Sequence, residues 1–105
     1  MTTHVPQGSS IHINCTAAGD QTSSWSIQPQ GSTNPTQFDM ANEALLNEHG
    51  YYETREDDSI THLFINSTQD INGTKIKCIE RIGFPPPIIF ETTLIVYHVY
   101  GRYLT

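Results

Sequence analysis

A tryptophan ten residues after the first of only two cysteines most limits how this chain can fold. Cys15 lies in Ser-Ile-His-Ile-Asn-Cys-Thr-Ala (Ser10 to Ala17), where Ile11, Ile13, Cys15 and Ala17 alternate with polar residues. Cys78 closes Asn-Gly-Thr-Lys-Ile-Lys-Cys (Asn72 to Cys78), where Thr74, Ile76 and Cys78 share one parity. Side chains alternate between faces along a strand, so each cysteine points with the apolar set of its own strand. Two inward cysteines on separate strands, with Trp25 between them in sequence, suit a two-sheet sandwich pinned through its middle. The cysteine count alone leaves two free thiols equally open in a reducing compartment.

The 105 residues read as one domain, 1–105, with a core from about residue 5 to residue 99. A chain this long buries roughly two-thirds of its unfolded surface, enough for a single core. Asn66-Ser67-Thr68 and Asn72-Gly73-Thr74 are clean glycosylation sequons; Asn14-Cys15-Thr16 is a formal one with a cysteine in its middle. Asn34-Pro35-Thr36 is excluded by its proline. The sequons, the strand parity and Trp25 together point to an oxidising, extracellular or cell-surface setting. A net charge of −6 argues against nucleic acid and against an electrostatic membrane anchor. The most apolar run, Ile88 to Val99, is broken by Glu91, Thr92, Thr93 and His98, so no segment reads as a membrane span. The start, Met-Thr-Thr-His-Val-Pro, has no basic end or apolar centre and is not a signal peptide, which suggests a piece excised from a longer ectodomain.

In chain order, Val5 to Gly8 reads as an edge strand broken by proline, and Ser10 to Ala17 as the next strand. Ser23 to Pro29 follows, with Trp25 and Ile27 inward and Ser24, Ser26 and Gln28 outward. Pro29 to Thr36 is a loop rich in turn residues. Phe38 to Met40 gives a weak strand signal, and Ala41 to Glu48 has helical character. Gly50 to Thr54 and Ile60 to Ile65 read as strands, separated by the acidic turn Glu56-Asp57-Asp58. Asn66 to Gly73 is a turn, Gly83 to Pro87 a proline-stiffened loop, and Thr92 to Val99 the last strand. Strands at this spacing describe an all-β sandwich.

Cys15, Trp25, Leu63, Ile65 and Cys78, taken together, resemble the immunoglobulin domain of variable or intermediate type. The resemblance implies an immunoglobulin-like antiparallel β-sandwich. In it Cys15 and Cys78, on strands B and F, pair across the sheets against a strand C tryptophan, Trp25. The pattern departs from the family at Ile76, where the tyrosine of the tyrosine corner is replaced, and strand G has no Gly-x-Gly bulge. The turn Ile71-Asn72-Gly73-Thr74 is similar to that of invertebrate receptor domains.

No catalytic constellation stands out; the serines and histidines are scattered, and an enzyme, a cofactor or a metal centre is not expected. His12 and His62 face outward on neighbouring strands and read as surface histidines. Glu53, Glu56, Asp57 and Asp58 read as a solvated acidic turn rather than a Ca²⁺ site. Asn14 and Asn66 should project from a sheet holding strands A (Val5 to Gly8), B (Ser10 to Ala17), E (Ile60 to Ile65) and D (Gly50 to Thr54), shielding that face with glycan. On the opposite face, Lys75, Lys77, Ile79 and Arg81 should point outward from strand F, and Ile95, Tyr97 and Val99 from strand G. This predicts an apolar stripe of Ile79, Ile95 and Tyr97 bordered by positive charge, of the kind that marks a contact surface. Phe84, Ile88 and Ile89 around the F–G loop form a second candidate. The expected function is recognition or adhesion, binding a protein partner or a second copy through the C–F–G face. The alternative is a spacer domain in an extracellular array. Both lean on the immunoglobulin resemblance, since such sandwiches serve adhesion, immune recognition and plain structure.

Overall fold

The computed structural model describes residues 1–18, 22–80 and 87–98. Eight strands and one short helix follow in order: β1 (Thr2–Pro6), β2 (Ser10–Thr16), β3 (Ser23–Gln28), β4 (Thr36–Gln37), α1 (Glu43–Glu48), β5 (Tyr51–Arg55), β6 (Ile60–Asn66), β7 (Lys75–Glu80) and β8 (Ile88–Tyr97). A 3-10 turn, Gln69–Ile71, lies between β6 and β7. The strands form two sheets, one of five in the order β1-β8-β7-β3-β4 and one of three in the order β2-β6-β5. Neighbours are antiparallel except β1, which runs parallel to β8.

Apart from β3, whose serines are buried as well, burial follows the apolar–polar alternation of the strands. Trp25 and Ile27 on β3, Leu63 and Ile65 on β6, Ile76 and Cys78 on β7, and Leu94 on β8 are all at most 1% exposed. Fully burying side chains of this size stabilises by roughly 1.5–3 kcal/mol each. A disulfide joins Cys15 on β2 to Cys78 on β7 and so links the two sheets. Trp25 is the direct cross-strand partner of Cys78, which sets the indole beside the bridge. The molecule is thus an all-β two-sheet sandwich with one inter-sheet disulfide.

Three features differ from the sequence-based expectation. Strand A belongs to the other sheet: β1 pairs with β8, not with β2, so the three-stranded sheet contains only B, E and D. Pro6 allows this, because it ends β1 at a sheet edge where no partner needs its missing N–H. The last strand begins at Ile88, four residues before Thr92, with a bulge opposite Cys78 and Ile79. The strand near Phe38 is instead Thr36–Gln37, and Phe38 itself is buried in the core.

The helical character of residues 41–48 is realised as α1, which buries Leu46 and leaves Leu45 half exposed. The Asp39 carboxylate accepts the backbone N–H groups of Ala41 and Asn42, closing the turn that leads into it. Gly73 has φ +83°, a left-handed conformation natural to glycine, and a Cβ there would lie 2.7 Å from the Gln30 side chain.

Candidate interaction surfaces

The outer face of the five-stranded sheet carries most of the site residues expected from sequence. Lys75 is exposed opposite Thr93, while Lys77 stands opposite Glu91 with its Nζ 3.6 Å from the carboxylate. An ion pair this open to water contributes at most about 1 kcal/mol and serves better to set local charge. Ile79 is half-buried opposite Ile88. The bulge matters here, because two residues of the bulged strand then oppose one on its partner. Ile88 is thereby set opposite Ile79 with Ile89 as the extra, unpaired residue, and Ile88 and Ile89 remain 53% and 37% exposed. Arg81 and Phe84 lie outside the described residues, as do residues 83–86 of the F–G loop and Val99.

The register divides the expected apolar stripe in two. Ile95 stands opposite His4 and Tyr97 opposite Pro6, at the far end of β8 from Ile88. The two apolar ends are separated by roughly 20 Å of strand. Between them stand the Lys77–Glu91 pair and the Lys75–Thr93 pair. Parity alone assigns a face but not a position along it, so the stripe is two patches: Ile79, Ile88 and Ile89, and Ile95 with Tyr97. Ser24 and Ser26, outward on β3, are nevertheless buried, and the Gln37 side-chain amide donates to Ser24 Oγ at 3.1 Å.

The outer face of the three-stranded sheet holds a feature that single-strand parity does not reveal. Tyr52, Phe64 and His12 stand opposite one another across β5, β6 and β2. His12 stacks on Phe64 with ring centroids 4.5 Å apart and planes 6° off parallel. Phe64 and Tyr52 keep 39% and 44% of their surface in water. His12 Nε2 and His62 Nδ1 lie 2.9 Å apart, so one ring donates and the other accepts. Glu56 sits 3.6 Å from the other nitrogen of His62. Among the described residues, no group of three or more His, Cys, Asp or Glu side chains is placed to hold a metal ion.

The acidic turn is organised by hydrogen bonds. Asp57 Oδ1 accepts the Ser59 hydroxyl, the Ser59 N–H and the Ile60 N–H, and these bonds, the hydroxyl first, hold its pKa below the ordinary aspartate range. Glu53 faces inward, where it accepts the Thr61 hydroxyl and lies 3.4 Å from Arg55. Arg55 in turn donates to the Ser23 carbonyl of the opposite sheet at 2.6 Å.

The three sequon asparagines differ sharply. Asn66 and Asn14 are exposed on the three-stranded face. Asn72 instead uses its side-chain oxygen to accept the Val96 backbone N–H at 2.8 Å, and its sequon threonine, Thr74, is 2% exposed. A mostly apolar cavity of about 210 Å³ opens at one end of the sandwich, lined by Ile27, Leu45, Leu46, Tyr51 and Ile71 among others. Burial there pushes the Tyr51 hydroxyl up in pKa. Sequence reading missed this cavity because α1 supplies one wall, and strand periodicity says nothing about where a helix docks.

No family model matches the sequence, and no curated protein does. Among solved structures, the chain is similar to a chain in a structure described as the basis of T cell specificity and activation by the bacterial superantigen toxic shock syndrome toxin-1. The TM-score is 0.63 at 14% identity, and the alignment covers 91% of this chain and 92% of that one. At this identity the likeness speaks for the fold: a β-sandwich matched along nearly its whole length.

Proposed function

We propose that the chain is an immunoglobulin-like recognition module of an extracellular or cell-surface protein. It carries out no catalysis and binds a protein partner through the outer face of its five-stranded sheet. The observation that carries this reading is the bulge of β8, which holds Ile88 and Ile89 in water beside Ile79, next to the Lys77–Glu91 pair. Exposed branched apolar side chains grouped on a rigid sheet and rimmed by charge are the composition of an interface centre. Residues on a sheet lose little freedom on docking, so their burial is not offset by ordering cost. The disulfide supports an oxidising setting. The similar solved chain comes from a structure concerned with recognition in T cell activation, which is in keeping with a protein partner.

The test uses the whole chain displayed as a multivalent probe against a panel of cell-surface and secreted ectodomains, itself included. Binding that is lost in an Ile79→Ser, Ile88→Ser variant of unchanged melting temperature supports the reading. Binding that survives this variant, or absence of any protein partner across the panel, contradicts it.

A further inference from the structure

We propose that Asn66 carries an N-linked glycan whose first N-acetylglucosamine lies in the groove beside it, against Tyr52 and the open edge of Phe64. The inference rests on the reading that the chain is made in a secretory compartment. Asn66 ends β6 with its side chain exposed, and Ser10 donates to its Oδ1 at 3.0 Å. Its Nδ2, the atom that would bear the sugar, makes no hydrogen bond among the described residues. The hydroxyl required two residues on belongs to Thr68, which is exposed and donates to Asp70.

Phe64 precedes Asn66 by two positions, so both project from the same face of β6 about 7 Å apart. A groove of about 290 Å³ opens beside Asn66, which lines it together with Asn47, Gly50, Tyr52, Thr68 and Asp70 among others. That combination suits a sugar ring, whose axial C–H face packs on an aromatic ring while its hydroxyls and acetamide seek polar partners. Asn47 and Asp70 supply such partners. Gly50 keeps the site open: a Cβ there would come within 3.3 Å of the Asn66 Cβ. His12 covers one face of Phe64, and the ring, 39% exposed, stands directly opposite Tyr52, the aromatic residue of the groove lining. The other sequons lack this setting. Asn72 is held by Val96, and Asn14 precedes a cysteine committed to the disulfide.

The chain is produced behind a secretion signal in a eukaryotic host, its glycopeptides are mapped, and its glycans are trimmed enzymatically to one N-acetylglucosamine per site. The expected result is a sugar on Asn66, and a melting temperature a few degrees above that of the Asn66→Gln and Thr68→Ala proteins. In a Tyr52→Leu, Phe64→Leu background, which keeps apolar bulk but removes both rings, that increment disappears. An unmodified Asn66 in the secreted protein overturns the proposal. So does an increment that is absent, or equally large without the rings. Partner binding by the five-stranded face is read in a separate assay, so either idea can fail alone.

Discussion

The indole N–H of Trp25 donates to the hydroxyl of Thr61 at 3.1 Å, a buried polar bond between the two sheets. Thr61 donates onward to the Glu53 carboxylate, which faces Arg55, and Arg55 returns to the first sheet through the Ser23 carbonyl. The sheets are thus joined by a covalent bridge at Cys15–Cys78 and by a chain of hydrogen bonds that begins at the tryptophan beside it. Replacing Thr61 with valine keeps the shape but strands the buried indole N–H. We expect a loss of about 1–3 kcal/mol, read from urea denaturation. No loss would mean the indole needs no partner.

Opening the disulfide should cost more. The bridge spans 63 positions, and closing a loop of that size stabilises by about 4 kcal/mol in the chain-entropy account. A Cys15→Ala, Cys78→Ala protein should show a large fall in denaturation midpoint, and intact and reduced wild type should differ in the same sense. Indistinguishable midpoints would contradict this.

Tyr51 and Asp57 contribute to the pH dependence of stability in opposite directions. The fold holds Tyr51 neutral through burial, so its raised pKa gives stability that is complete below the ordinary tyrosine range. That contribution is lost as pH rises through the raised value, above about pH 10. Asp57 behaves oppositely. Its lowered pKa gives stability present above the ordinary aspartate range and lost as pH falls through the depressed value, below about pH 4. Melting temperature followed against pH should lose part of its alkaline fall in Tyr51→Phe and part of its acid fall in Asp57→Asn. Unchanged profiles would refute the assignment.

Asn72 illustrates how a motif can serve the fold. Its side-chain oxygen receives the Val96 N–H that would otherwise be unpaired near the end of β8. Asn72→Ala should cost about 1 kcal/mol, whereas Asn72→Asp, which keeps the acceptor and also abolishes the sequon, should cost clearly less. Equal losses in the two variants would show that the acceptor is irrelevant.

The sequence made the core legible because burial on a strand has period two. Ile76, Cys78, Leu94, Trp25 and Ile27 could each be assigned inward from their neighbours alone. Quantities that depend on two strands at once were not legible. The partner of β1, the bulge that advances β8 to Ile88, and the opposition of Ile79 to Ile88 rather than Ile95 are all matters of pairing. The row Tyr52–Phe64–His12 is invisible for the same reason, since its members are adjacent only across three strands. The sequons were legible as patterns, but the engagement of Asn72 with Val96 needed the fold.

On the functions proposed, the two outer faces divide the work, the five-stranded one meeting a protein and the three-stranded one bearing sugar. Binding of the displayed domain to its protein partner, measured for Ile79→Ser, Ile88→Ser and for Tyr52→Leu, Phe64→Leu, tests it most directly. The first pair should abolish binding while the second leaves it unchanged, both proteins remaining folded. The reverse pattern would contradict it.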